Sequence, residues 1–401
     1  MLSVAEARAR ILAPLRAVPS EVVALPDAWG RVLAKPVTAR LSNPPADVSA
    51  MDGYALRAAD GALGARLRVI GTAPAGHPFE GQVGPGEAVR LYTGSFMPDG
   101  ADSVLLQEDA TRSGDHVEVR EAVRAGRHVR PQGQDFAAGD EMLPAGRRLG
   151  ARDVGLAAAA DQPWLHVHRR PVVAVLATGD EIALPGEPIP PGGIVSSNAH
   201  ALAAFIRAGG GVPVVLPIAP DDREALAEAA LGARGADLLV TTGGASVGDY
   251  DLVQAALGDE GFHLDFWKVA MRPGKPLVSG RLGAMPVLGL PGNPVSALVC
   301  GLLFLGPALA CLSGLPGNPP MPVRARLGAP LAANDGRADH LRASLSVQPD
   351  GTLIATPFPR QDSSMLRALA NAGALILREP HAPPLPEGAD VSVLRLDAPC
   401  F

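Results

Sequence analysis

Cysteine, aromatic residues and surplus positive charge are all scarce in this chain. Only three cysteines occur in 401 residues, Cys300, Cys311 and Cys400, and none has C-x-x-C spacing or a nearby histidine pattern. That argues against a disulfide framework or a cysteine zinc site and for a reducing compartment, so a cytoplasmic location is expected. Aromatic residues make up 4% of the chain, which leaves little material for an aromatic-lined peptide groove. The net charge of −6 argues against a general nucleic-acid or acidic-membrane binder, and no nucleic-acid or membrane partner is expected. An anionic ligand must therefore be held by a local cluster or with the help of a cation. Neither a G-x-x-x-x-G-K-[ST] loop nor a G-x-G-x-x-G fingerprint is present. No period suggests repeats.

Charged residues are also missing from one long stretch, Val287 to Leu312, as a membrane span would require. Prolines interrupt it, at Pro291 and Pro294 and again in Gly306-Pro307, and the remaining VSALVCGLLFL is short for a span. A helix buried on all sides is the expectation. The N-terminus is not a secretory signal, because charges break up its apolar positions. Ser3 and Glu6 instead have capping-box spacing, which predicts an amphipathic opening helix.

Glycine (46) and proline (40) are abundant and spread along the chain, which indicates many tight turns. The length suggests roughly two to four domains. From about Leu41 to Gly150, short β-like runs alternate with turn clusters, predicting a β-rich region. Between Arg170 and Gly314 apolar strands alternate with helical segments, predicting an open, mostly parallel α/β sheet. After Pro320 short strands return, predicting a small barrel-like β domain.

In such parallel sheets, ligands sit beyond the carboxyl ends of the strands. Three strand ends close there in glycine and polar residues: VVAVLATGDE (172–181), TTGGASVGDYD (241–251) and GLPGNP (289–294). Asp180, Glu181, Asp249 and Asp251 repel one another unless a cation intervenes, and hard-oxygen clusters of this kind suit Mg²⁺. Glycines in TTGG let backbone N–H groups approach an anion. In MRPGKP, Arg272 and Lys275 flank a stiff Pro-Gly turn and could hold phosphate. In GLPGNPVSA, Asn293 is placed to cap the next helix, with Pro294 at its first position. Each motif also reads as an ordinary solvated or strand-to-helix turn. The same holds for Asp52 in SAMDGYAL, Thr93 in LYTGSF and Asp135 in PQGQDFAAGD.

As a set, SAMDGYAL, LYTGSFMPDGADSVLLQED, QGQDFAAGD, VAVLATGDEI, TTGGASVGDYD, KVAMRPGKP and GLPGNPVSAL, in this order, closely resemble the molybdopterin molybdenumtransferases, the family that includes the catalytic domain of gephyrin. The resemblance runs from about Ala5 through QDSSMLRALANA (361–372). It implies insertion of molybdate into adenylylated molybdopterin with release of AMP and a requirement for Mg²⁺. It also implies an elongated homodimer, with a site between the α/β domain of one subunit and the β-rich insertion of the other, and transient contact with molybdopterin adenylyltransferase. The implied domains are a molybdopterin-binding α/β domain (1–19 and 170–320), a connecting domain (20–38 and 140–169), a β-rich insertion (39–139) and a C-terminal β domain (321–401).

By the same resemblance, Asp52, Thr93 and Asp135 belong to the insertion side of the site, and Glu181 and one of Asp221 and Asp222 are cleft acids. Asp251 is a further acid, and Arg272 and Lys275 are the cations. Asp52, Glu181 and Asp251 are the implied metal acids. Gly243, Gly244, Ser246, Pro291, Gly292, Pro294, Arg342 and one of Ser363 and Ser364 are implied in substrate binding. Arg272 stands where many relatives have lysine, and Ala245 replaces a common valine. The alternative readings are the adenylyltransferase that makes the adenylylated pterin, and a non-catalytic scaffold with the same fold. Molybdate and tungstate are not distinguished.

Overall fold

A computed structural model describes residues 1–243 and 261–397. The chain forms two compact units. One comprises Met1–Glu21, Gly30–Ala34 and Val167–Phe401, and the other Val22–Trp29 and Lys35–His166.

The second unit is β-rich, as the alternating runs predict. Its largest sheet has the strand order Ser103–Leu106, Gly53–Leu56, Glu87–Leu91, Arg66–Ala73, His116–Val119, Ala110–Ser113. Only the pair Glu87–Leu91 and Arg66–Ala73 is parallel. Tyr54, Leu56, Leu67, Leu105 and Val117 fill the core on one face. The unit also holds the helix Ala151–Ala159, where Asp153 accepts from the Gly150 N–H at 2.8 Å and pairs with Arg147.

The first unit carries the predicted α/β sheet, ordered Val212–Val215, Val172–Ala177, Leu238–Thr242, Met285–Leu290, Pro276–Leu282, Phe262–Lys268. The first four strands are parallel and the last two antiparallel. Near-continuous burial explains the unbroken apolar sequence of VVAVLA and LLVTT, since helices cover both faces. The opening helix, Val4–Leu12, has the full capping box: Ser3 Oγ accepts from the Glu6 N–H, and Glu6 accepts from the Ser3 N–H at 2.8 Å.

The charge-free stretch forms a helix running from Pro294 to Leu312. Val295, Ala297, Val299, Phe304 and Leu305 are fully buried in the main core. Among the described residues it is the one helix that, by length and composition, could cross a membrane. The expected interruption at Gly306-Pro307 does not occur. Residues Gly301–Leu305 widen into a π turn, with the Gly306 N–H reaching the Gly301 carbonyl, before the α-helix resumes over Gly306–Leu312. A proline lacks the N–H and crowds the carbonyl four residues back. A local π turn relieves that crowding without ending the helix.

The C-terminal strands close completely. Ala338–Val347 pairs with Leu353–Pro357, then come Val323–Leu327, Asp390–Arg395 and Ala374–Arg378, which returns to Ala338–Val347. This five-stranded barrel encloses Ala325, Leu327, Ala343, Ala355, Ile376 and Val393. Closure leaves no edge among these strands for stray pairing. A short segment of the α/β region, Met271–Arg272, attaches outside the ring in parallel with Ala338–Asp339.

Candidate functional site

Register places three strand ends at one level. Ala177 lies opposite Thr242, and Thr242 opposite Leu290, so the residues that follow, Thr178, Gly243 and Pro291, come out side by side. Between them opens a cleft of about 710 Å³, lined by Thr178, Gly179, Glu181, Asp221, Gly243 and the Pro291–Pro294 turn among others. Its floor is stitched by backbone. The Thr178 N–H donates to the Thr242 carbonyl at 3.1 Å, and the Gly179 N–H to the Ala219 carbonyl at 3.1 Å. Gly243 has φ 94° and sits so close to the Thr178 carbonyl that a Cβ would collide with it. Only glycine suits both demands.

Two helices begin at the cleft wall, Asn198–Ala208 and the one starting at Pro294. The first of these, without a side-chain cap, favours an anion there, whereas the second starts at a proline, which has no N–H. Asn293 occupies the cap position, but its side chain makes no capping hydrogen bond. The expected cap is replaced by a distant one: the Val295 N–H donates to the Ser363 carbonyl at 3.1 Å. That frees the Asn293 side chain to face the cleft.

The acids divide by what they already hold. Asp222 is spent on its own helix, accepting from the Ala225 N–H at 2.9 Å as the cap of Arg223–Leu231. Asp221 lines the cleft, and Asp180 accepts from the Asp221 N–H at 3.1 Å. Glu181 also lines the cleft and is exposed. The serines divide in the same way. Ser363 lends its carbonyl to the helix, whereas Ser364 lines the cleft and donates its hydroxyl to Asp362 at 2.6 Å. That hydroxyl, then the Ser364 N–H, holds the Asp362 carboxyl below the usual carboxylate range.

Arg342 is buried within the unit and does not line the cleft. Its guanidinium donates to Gln361 Oε1 at 3.2 Å and to the Met365 carbonyl at 3.3 Å, holding the loop that carries Ser364. Lys275 is exposed, immediately before the cleft residue Pro276, and its ammonium has no ion pair among the described residues. Arg272 points elsewhere: it forms a two-bond ion pair with Asp339 and reaches Asp335 and Asn334. Gly244, Ser246 and Asp251 lie outside the described residues.

In the second unit, Thr93 donates both its N–H (2.7 Å) and its hydroxyl (2.8 Å) to Asp52 Oδ1. These two bonds, the backbone one first, hold the Asp52 carboxyl below its ordinary range, with Arg90 adding to the effect. Asp135 accepts from Asn43 at 3.3 Å and lines a separate cavity of about 360 Å³ with Pro44, Arg130 and Gln134.

Among the described residues no cluster of three or more His, Cys, Asp or Glu is arranged to hold a metal alone. Mg²⁺ does not demand one, because it takes one or two carboxylates and fills its other positions with water and phosphate oxygens. Glu181 and Asp221 on one cleft fit that requirement. Sequence reasoning missed Asn198, whose amide donates to Thr242 Oγ1 at 2.8 Å and to the Gly292 carbonyl at 2.7 Å, tying two strand-end turns together. An asparagine opening a helix after a strand was the available signal.

Three family descriptions match successive parts of the chain. Residues 2–160 match the family described as MoeA N-terminal region (domain I and II). Residues 174–311 match "Probable molybdopterin binding domain", and residues 324–396 match MoeA C-terminal region (domain IV). A protein named molybdopterin molybdenumtransferase 2 from Mycobacterium tuberculosis is 40% identical over 389 residues, covering 94% of this chain and 95% of that one. A molybdopterin molybdenumtransferase from Nostoc sp. is 36% identical over 387 residues, covering 94% of this chain and 89% of that one. The crystal structure of a molybdopterin biosynthesis MoeA protein from Pyrococcus horikosii superposes with a TM-score of 0.87 at 29% identity, covering 98% of this chain and 99% of that one.

Proposed function

The chain belongs to the molybdopterin molybdenumtransferase family, and on that premise we propose that it inserts molybdate into adenylylated molybdopterin with release of AMP. The observation that carries this reading is the cleft itself. The strand-end residues Thr178, Gly243 and Pro291 and the N-terminus of Asn198–Ala208 line one cleft with the acids Glu181 and Asp221, and Lys275, without an ion pair among the described residues, immediately precedes the cleft residue Pro276. The matches at both the N-terminal and C-terminal regions favour this step over the adenylyltransferase step.

In the proposed reaction, an oxygen of molybdate or water attacks phosphorus, the phosphoanhydride P–O bond breaks, and AMP leaves with the bridging oxygen. One molybdate oxygen is then given up, to the phosphate or as water with the two sulfhydryl protons, as the two pterin sulfurs bond to molybdenum. No side-chain nucleophile is required. The cleft's backbone N–H groups and Lys275 hold the phosphates and stabilise the charge that develops as the bond breaks. Pro291 and Pro294 fix the wall against which the pterin lies, with Gly292 between them. Mg²⁺ is the proposed cofactor. Glu181 and Asp221 would hold it in this cleft, and Asp52 and Asp251 are the further acids whose replacement tests its role. When bound, the cation supplies charge neutralisation at the phosphates. We also propose a homodimer, a cytoplasmic location and transient contact with the adenylyltransferase that supplies the substrate. The two described cysteines, both unpaired, suit a reducing compartment.

Purified protein incubated with adenylylated molybdopterin should release AMP only when molybdate and a divalent cation are both present. Release in chelator would remove the cation from the reaction, and release without molybdate would reduce the activity to simple hydrolysis. Light scattering tests the dimer.

A further inference from the structure

Arg272 and Lys275 sit three residues apart in one turn, yet they are held in opposite ways. The Lys275 ammonium has no ion pair among the described residues, although its carbonyl accepts from the Val269 N–H at 3.0 Å. Arg272 is committed through most of its guanidinium: Nε donates to Asp339 Oδ1 at 2.9 Å, a terminal nitrogen binds Asp339 Oδ2, and further bonds run to Asp335 and Asn334. The Asp339 side chain is 5% exposed. A carboxylate so buried needs its counter-charge, and its two parallel bonds to the guanidinium set direction as well as attraction.

Backbone contacts reinforce the pair. Met271–Arg272 lies in parallel register with Ala338–Asp339, and the Ala338 N–H donates to the Ala270 carbonyl at 2.9 Å. His340, the next barrel residue, is buried beside them, and burial pulls its pKa down to about 4, so it stays neutral. Immediately after Arg272 the chain passes Gly274, at φ 108°, where a Cβ would press on Cys300 Sγ. Lys275 and the cleft residue Pro276 follow. Barrel, ion pair and tight turn thus fix where Lys275 leaves the backbone.

We propose that Arg272 is a positioning residue that acts through Asp339 to aim Lys275, and that its guanidinium does not contact the phosphates of the substrate. The inference rests on the proposed function, because Lys275 matters only if the cleft takes an anion. It departs from the reading of Arg272 and Lys275 as paired phosphate ligands. A lysine at 272 keeps the charge but cannot reproduce the two-bond pairing with Asp339.

The test uses Arg272→Lys, Asp339→Asn and the double variant in the full-length protein. AMP release gives kcat and KM for the adenylylated pterin, and hydrogen exchange follows the segment 269–278 without substrate. We expect kcat to fall by roughly tenfold in each single variant, the size of effect that misplacing a reacting group produces, with KM nearly unchanged. The double variant should be no worse than either single one, because both break the same link. Exchange in 269–278 should quicken in all three. The proposal is overturned if Arg272→Lys raises KM while Asp339→Asn leaves both constants alone, since the guanidinium would then be touching substrate. It is also overturned if exchange and kcat stay at wild-type values and only the melting temperature drops. If wild-type protein releases no AMP, the proposed function fails. The exchange measurement would still decide whether the pair fixes the turn.

Discussion

The strand-end cleft and the Asp52 turn of the β-rich unit both present carboxylates, but they prepare them differently. In the cleft the framework is backbone: register, strand-end N–H groups and a glycine that no other residue can replace. The charged side chains Glu181 and Lys275 are left without ion pairs among the described residues. At Asp52 the carboxylate itself is tied down, because Thr93 donates both its backbone N–H and its hydroxyl to one carboxylate oxygen. A rigid main chain can leave its charges free to meet a ligand.

Five substitutions break or sharpen this contrast. The largest effect is expected for Lys275→Ala. It removes a cation that has no ion pair among the described residues and should lower AMP release by roughly 10²–10³-fold, with little change in melting temperature. Gly243→Ala attacks the backbone side of the comparison. Its positive φ and the nearby Thr178 carbonyl should lower stability by about 1–3 kcal/mol in a denaturant titration, with AMP release falling too.

Thr93→Val attacks the side-chain side. Activity should fall by about tenfold, near the lower end of what lost orienting bonds cost at functional carboxylates. Asp52 has a depressed pKa in the folded protein, so it stays charged, and its contribution persists, until pH falls through that lowered value. Removing the hydroxyl raises the pKa, so the acid limb of the pH–activity profile should move to higher pH. A profile that stays in place would show that Thr93 does not hold Asp52 in its charged form during turnover. Asp222→Ala is the smallest. It should cost about 1 kcal/mol as a lost helix cap and leave AMP release nearly intact, whereas Asp221→Ala should impair it.

Local physics made much of this readable in advance. Ser3 and Glu6 specify a cap across three residues, and the apolar runs of VVAVLA and LLVTT specify buried parallel strands, so both were legible. The three strand-end turns were legible as neighbours because parallel sheets align their carboxyl ends. Long-range pairing was not. Nothing near MRPGKP indicates that Arg272 would meet Asp339, 67 residues later, or that Ser363 would cap the helix beginning at Pro294. Asp221 and Asp222 could not be told apart until the cap on Arg223–Leu231 fixed which one turns inward. Pro307 looked like a helix breaker because sequence alone does not show that a π turn before it can absorb its ring.

The barrel's closure has a consequence for how the protein is made. Met271–Arg272 docks on a strand whose neighbour, Ala374–Arg378, emerges from the ribosome about a hundred residues later. The docking strand is therefore complete only after nearly the whole polypeptide has been synthesised, and a chain that ends before Ala338 lacks it.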